Sequence, residues 1–240
     1  MKAQPANALV AAMAAELHDG DVVATGVASP LAILAIALAK ATHAPRLTYL
    51  ACVGAVNPGV HRLHASSEDL AYLDQRRGDI SIPDLFDHAR RGRIDVIFFG
   101  AAEVDSAGRS NMSGTGPLRR PTVKLPGVAG AAALRRWVKR PVLVMPKQTT
   151  RNLVARVQVA STVDERPTPL LTDLGRFQVG REGASLRSFR PWTTPPEVAE
   201  RTGFAFAVSP DISADTLPSA ATVAAIAAFD PDNLRERLVG

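Results

Sequence analysis

Three features of this 240-residue sequence predict a single α/β domain, with a parallel sheet early in the chain and an antiparallel portion towards its end. Strand-like and helix-like segments alternate through the first half, the pattern of βαβ units. The most apolar segments, such as "IDVIFFG", are short and rich in branched and aromatic residues, as strands buried on both faces are. Beyond Val157 the segments shorten and alternate in polarity, as antiparallel strands do.

Each element follows from its local signals. A helix is expected from about Ala6 to His18, with Asn7 as cap and Gly20 as stop. "DVVAT" reads as a strand, "GVASP" as a loop, and a second helix runs from about Pro30 to Ala41. Proline suits its first turn, where a backbone N–H is not needed. "LTYLAC" is a second buried strand, and residues 57–70 form a loop. "SSEDLAYLDQRRG" reads as a helix capped by Ser66 or Ser67, and "IPDLFDHARRG" as one ended by Gly92. "IDVIFFG" is the clearest strand. The stretch "AAEVDSAGRSNMSGTG" is rich in turn formers. "VKLPGVAGAAALRRWVKR" is a glycine-bearing loop entering a helix, and "PVLVMP" another strand. "ARVQVAST", "PLLTDLGRFQV" and "SLRSFR" read as antiparallel strands. "TPPEVAERTGF", "SAATVAAIAAF" and "DPDNLRERLV" close the chain as helices. No repeat or low-complexity linker divides residues 1–240.

Composition narrows the function. Hydrophobic residues make up 46% and charged residues 21%, which suits a soluble globular protein. "LAILAIALA" is too short to cross a bilayer, and Glu16, His18 and Asp19 follow the first apolar stretch too closely for a signal peptide. One cysteine excludes an internal disulfide and fits a reducing cytoplasm. The net charge of +5 gathers at Arg90, Arg91 and Arg93, at Arg119 and Arg120, and at Arg135, Arg136, Lys139 and Arg140. These clusters read either as a solvated face or as a contact for an anionic partner. Without interleaved aromatics or a recognition motif they do not point to nucleic acid.

Open parallel sheets bind ligands beyond the carboxyl ends of their strands. Three loops fall there: Gly26 to Pro30, Cys52 to Gly59, and the stretch from Gly100. The Gly127–Gly130 loop opens a helix, where backbone N–H groups can hold an anion or an oxyanion; it also reads as a plain packing device. Cys52 likewise reads as a space-filler or as a reactive thiol. His61 and His64 have no third ligand at useful spacing, so no metal is expected. No catalytic Ser/His/Asp spacing, P-loop or dinucleotide fingerprint is present.

Five stretches in order carry a family resemblance. "GDVVATGVASPLAILAIALAKATHAPRLTYLACVG" resembles the opening of the β subunit of class I, glutaconate-type coenzyme A transferases. "DVIFFGAAEVDSAGRSNMS" is similar to that family's G-G-A-Q-x-D-x-x-G-N-x-N stretch, and "KLPGVAGAAA" to its G-G-A-N loop. "LLTDLGRF" and "PWTTPPEVAERTGF" resemble its C-terminal motifs.

The resemblance implies an open α/β/α sandwich, mainly parallel with an antiparallel C-terminal portion. It implies one domain of the β-subunit type, pairing with a homologous α subunit and acting on an acyl-CoA. No cofactor is implied beyond coenzyme A as part of the substrate. In the transferases a glutamate at the end of the second strand attacks the thioester and then carries CoA. The register of "HAPRLTYL" puts Cys52 at that position, followed by Val53 and Gly54. Glu103 stands where the family has glutamine, and "GVAG" replaces "GGAN". A thiol cannot carry CoA as a glutamyl thioester does, since capture of CoA would make a disulfide. The departures match a branch of the family that decarboxylates 3-methylglutaconyl-CoA to 3,3-dimethylacrylyl-CoA on the way to isovaleryl-CoA, with cysteine at this position. The resemblance thus implies Cys52 as catalytic residue, with Val53, Gly54, Gly127, Val128, Ala129 and Gly130 shaping the substrate site. The alternatives are a transferase with an altered nucleophile and a silent structural subunit.

Overall fold

The computed structural model describes residues 5–117, 119–164 and 166–239. In chain order its elements are α1 (Pro5–Ala15), β1 (Val22–Ala24), α2 (Pro30–Thr42), β2 (Thr48–Ala51), β3 (Ala55–Val56), a 3-10 turn (Leu70–Leu73), β4 (Gly78–Asp79), α3 (Ile82–Arg90) and β5 (Val96–Gly100). There follow β6 (Glu103–Val104), β7 (Ser110–Asn111), β8 (Gly114–Thr115), β9 (Val123–Lys124), α4 (Ala131–Trp137) and β10 (Arg140–Met145). The chain ends with β11 (Thr168–Thr172), β12 (Gly175–Gly180), β13 (Gly183–Phe189), α5 (Pro195–Glu200), β14 (Phe206–Val208), α6 (Ala220–Phe229) and α7 (Leu234–Val239). These elements fall into two compact units. The first takes the chain up to Phe98, Trp137–Arg140 and everything from Leu217; the second takes Phe99–Arg136 and Pro141–Thr216.

The first unit orders its strands β5-β1-β2-β3-β4. Strand β1 pairs in parallel with β2 and with β5, while β3 and β4 turn back antiparallel. Helix α2 is buried from Pro30 to Ala39, so its almost uninterrupted alanines, leucines and isoleucines are core residues on every side. Its first turn carries Pro30, as the sequence indicates, and the Ser29 side chain makes no capping bond.

Asn7 does not cap α1. The helix starts earlier, at Pro5, so Asn7 lies inside it, fully buried, where its side-chain oxygen accepts from Arg235 Nε at 2.7 Å. The expected helix at "SSEDLAYLDQRRG" shrinks to the single 3-10 turn, capped by Asp69 rather than by Ser66 or Ser67. Tyr72 within it is buried and Leu70 is 71% exposed, so this stretch has too little of an apolar face to hold a longer helix.

The second unit orders its strands β14-β13-β12-β11-β10. The β11–β12–β13 ribbon is antiparallel as expected, but β10–β11 and β13–β14 are parallel. "ARVQVAST" is not a strand. Val157 N–H donates to the buried Asp105 carboxylate at 3.3 Å and Gln158 N–H to Glu103 at 3.0 Å, so side chains take the place of a strand partner. The turn-rich stretch after Gly100 contains two short antiparallel pairs, β6–β7 and β8–β9.

The basic clusters resolve unequally. Arg135 is fully buried, with Nη1 donating to Thr162 Oγ1 at 2.8 Å. Lys139 pairs with Asp95 at 2.7 Å and Arg140 with Asp21 at 2.5 Å. Of the three, Arg135 is committed to the interior, while Lys139 and Arg140 keep solvent contact beside their carboxylate partners. Among the described residues no helix is long and apolar enough to cross a membrane.

Candidate active site

Strand β2 delivers Cys52. Ala51 pairs with Ala55 and Leu50 with Val56, so Cys52, Val53 and Gly54 form the tip of a tight reversal. Gly54 N–H donates to Ala51 O at 3.0 Å, and Gly54 sits at φ +109°, a conformation that side chains resist. All three residues are half-buried. Ile80, directly after β4, also holds the tip, its N–H donating to Gly54 O at 3.0 Å.

The thiol has a defined neighbourhood. Sγ donates to the Ser67 carbonyl at 3.8 Å. Ser67 is itself fully buried; its Oγ accepts from Ser29 N–H at 3.0 Å and donates to Gly26 O at 3.2 Å. Ser67 therefore ties the loop beyond β1 to the Cys52 segment, bringing together two of the three strand-end loops singled out from the sequence. Beneath them lies a buried hydroxyl pair, Thr25 Oγ1 and Tyr49 OH, 2.9 Å apart. Burial pushes the Cys52 thiol above its ordinary range and the Glu68 carboxylate adds to it; hydrogen bonding from Thr25 and Ser67 offsets part of the rise. Burial likewise raises Tyr49, so both groups keep their protons at neutral pH.

Gly127, Val128, Ala129 and Gly130 lie in the second unit, in the loop before α4. Gly127 has φ +102° and Ala129 φ +41°. The Gly127 N–H is committed to Met112 O at 2.9 Å, and the Ala131 N–H to Val128 O at 2.8 Å. Among the described residues, the N–H groups of Val128, Ala129 and Gly130 take no main-chain acceptor. They, and not Gly127, are the donors this loop can offer.

The histidines diverge. His61 Nε2 lies 2.9 Å from Gln75 Oε1, while His64 stacks edge-on against Tyr72 and lies 3.3 Å from Asp69. Among the described residues no group of three His, Cys, Asp or Glu side chains could hold a metal ion. Glu103 is 4% exposed and accepts from Asn111 Nδ2, Gln158 N–H and Gln158 Nε2 at 2.8, 3.0 and 3.0 Å. Its environment consists of donors, which a carboxylate satisfies better than the amide of the family pattern.

Ser67 is the site residue that sequence reasoning misses. A serine in "SSEDL" looks like a helix cap, and its distance of 15 residues from Cys52 gives no local signal.

Residues 7–176 match the family model described as coenzyme A transferase. The chain belongs to the coenzyme A transferase family. Its α/β architecture, with parallel strands and an antiparallel ribbon, is of that family's type. A solved structure described as the decarboxylase AibA/AibB is 60% identical, covers 99% of both chains and superposes with a TM-score of 0.96. Four further structures of that decarboxylase, at the same identity, coverage and TM-score, carry alanine, valine, serine or asparagine in place of one cysteine. One subunit of the 3-oxoadipate CoA-transferase of Pseudomonas knackmussii is 28% identical over 96% of this chain and 95% of its own. Glutaconate coenzyme A-transferase from Acidaminococcus fermentans is 18% identical, covers 96% of both chains and has a TM-score of 0.86, which shows a shared fold.

Proposed function

We propose that this family member is the β-type subunit of a heteromeric acyl-CoA decarboxylase, and that its substrate is a 3-methylglutaconyl-type CoA ester. The observation that carries the reading is the 60% identity to the decarboxylase AibA/AibB over almost the whole of both chains. The local chemistry agrees. The chain has one cysteine, it stands at a strand end, and its thiol is kept protonated. The AibA/AibB variants each replace one cysteine, and in this reading Cys52 is its counterpart.

The partner is a homologous α subunit, and the compartment is the cytoplasm. In the reaction, the bond between the distal carboxylate and the chain breaks, CO2 leaves, and the electron pair spreads into a dienolate ending at the thioester oxygen. Hydrogen-bond donors aimed at the thioester stabilise that oxygen. Cys52 then delivers the proton from its thiol to carbon and recovers one from water. Val53 and Gly54 shape the wall beside the sulfur. No cofactor is required, because the thioester itself accepts the charge.

The test is to incubate the chain, assembled with its α subunit, with 3-methylglutaconyl-CoA and to follow CO2 and acyl products by mass spectrometry. The expected result is CO2 release with 3,3-dimethylacrylyl-CoA as product. CoA exchange onto acetate without CO2 would instead make the complex a transferase. Cys52→Ala is expected to lower turnover by about 100-fold, the scale of one general acid. Unchanged turnover would reduce Cys52 to packing and this chain to a structural subunit.

A further inference from the structure

The pairing of β12 with β13, in the second unit, holds an irregularity. Side chains of a regular strand alternate between faces, so "SLRSF" would send Leu186 and Ser188 to one face and Arg187 to the other. The ladder departs from that rule. Phe177 pairs with Leu186 and Arg176 with Ser188, which leaves Arg187 as an extra residue, a β-bulge. Phe177 and Leu186 are fully buried, whereas Arg176 and Arg187 are exposed. The bulge therefore gathers Arg187 and Ser188 on the outer face beside Arg176. A Cβ on Gly175 would lie 2.7 Å from the Ser188 carbonyl oxygen, so the two strands close up beside the bulge as only glycine allows. Arg176, Arg187 and Ser188, with Gln178 and Pro169, line a cavity of about 380 Å³, a volume within the range of small-molecule sites.

Two guanidiniums, a hydroxyl and an amide share this cavity, and none of the described residues lining it is acidic. The Arg187 side chain takes no acceptor among the described residues, so its paired N–H donors are open to a ligand. A guanidinium presents those donors in a rigid fork that matches the oxygens of a phosphate, and a serine hydroxyl adds a further donor. We propose that this cavity binds the phosphate group of a phosphorylated small molecule, with Arg187 as its main donor and Arg176 and Ser188 beside it. The bulge is what makes the site: with regular pairing, Ser188 would leave the cavity for the buried face. The phosphates of a CoA ester and those of a separate phosphate ester share this chemistry, and the experiment tells them apart. The inference stands on the second unit alone and does not depend on the reaction proposed above.

Titration calorimetry on the full chain with its α subunit tests it, using inorganic phosphate, AMP and coenzyme A as probes. Arg187→Gln is expected to weaken binding of AMP by about ten-fold, the scale of one lost bond to a charged group. Arg187→Lys, which keeps the charge but not the fork, should recover part of that loss. Arg187 is exposed, so neither substitution disturbs the core. If Arg187→Gln weakens coenzyme A as much as AMP, the cavity takes the coenzyme's own phosphates. If AMP and inorganic phosphate weaken while coenzyme A does not, it takes a separate phosphate ester. Failure of both AMP and inorganic phosphate to bind, or affinities for all three probes that Arg187→Gln leaves unchanged, overturns the proposal. The readout is binding and needs no turnover, so failure of this site and failure of the decarboxylase reading are separable.

Discussion

The two units bury different materials. The first is closed by α1 and α2, whose core positions from Leu9 to Ala39 are aliphatic, and few polar side chains are buried there. The second buries a succession of polar groups: Glu103 with Asn111, Asp105 with Arg109, Ser110 with Thr162 and Arg135, Thr172 with Gln148. The difference teaches that the units are specified by different forces. The first is held by area removed from water, which tolerates sliding. The second is held by directional bonds, which fix short segments that have no apolar pattern of their own.

Three substitutions sharpen or break that contrast. The largest effect is expected in the first unit. Leu34 is fully buried in α2, and Leu34→Ala should cost about 3 kcal/mol through lost transfer energy and the cavity left behind. Chemical denaturation measures it; a loss below about 1 kcal/mol, well short of the cost of a core truncation, would mean that the helix layer is not close-packed. Next comes Glu103→Gln in the second unit. It turns an amide NH2 towards donors that a carboxylate accepted, and should cost about 2 kcal/mol by the same assay. A neutral outcome would show that the polar network rearranges freely. The smallest change is expected at Arg135. Its Nε and Nη2 atoms are buried without hydrogen-bond partners among the described residues, and burial pushes its pKa down to about 10. Arg135→Met should leave stability within about 1 kcal/mol, because the charged group gains little for its desolvation. A large loss would instead make the guanidinium an essential strut of α4.

The same contrast explains what the sequence makes legible. Helices α2 and α3 and strands β1, β2, β5 and β10 all read correctly, because apolar runs, Pro30 and Gly92 announce them. Strands β6 to β9 do not, because side-chain bonds hold them: Asn111 Nδ2 donates to Gly114 O, and Gln158, 42 residues along the chain, accepts from Gly116 N–H. "ARVQVAST" misleads for the converse reason: its alternation mimics a strand while carboxylates occupy its N–H groups. At the site, the register of "HAPRLTYL" puts Cys52 at a strand end, and it stands there, directly after β2. The choice of Val128, Ala129 and Gly130 over Gly127 as donors depends on a backbone bond to Met112 that no spacing encodes. Ser67 is hidden in the same way, by contacts reaching 41 residues back to Gly26.

The protonated state of Cys52 also bears on its oxidation. Peroxides attack thiolates, and a sulfur held as S–H by burial and a neighbouring carboxylate is slow to become a sulfenic acid. Under the role proposed for Cys52, the enzyme would keep working through bursts of oxidant that silence enzymes whose cysteines are primed as nucleophiles.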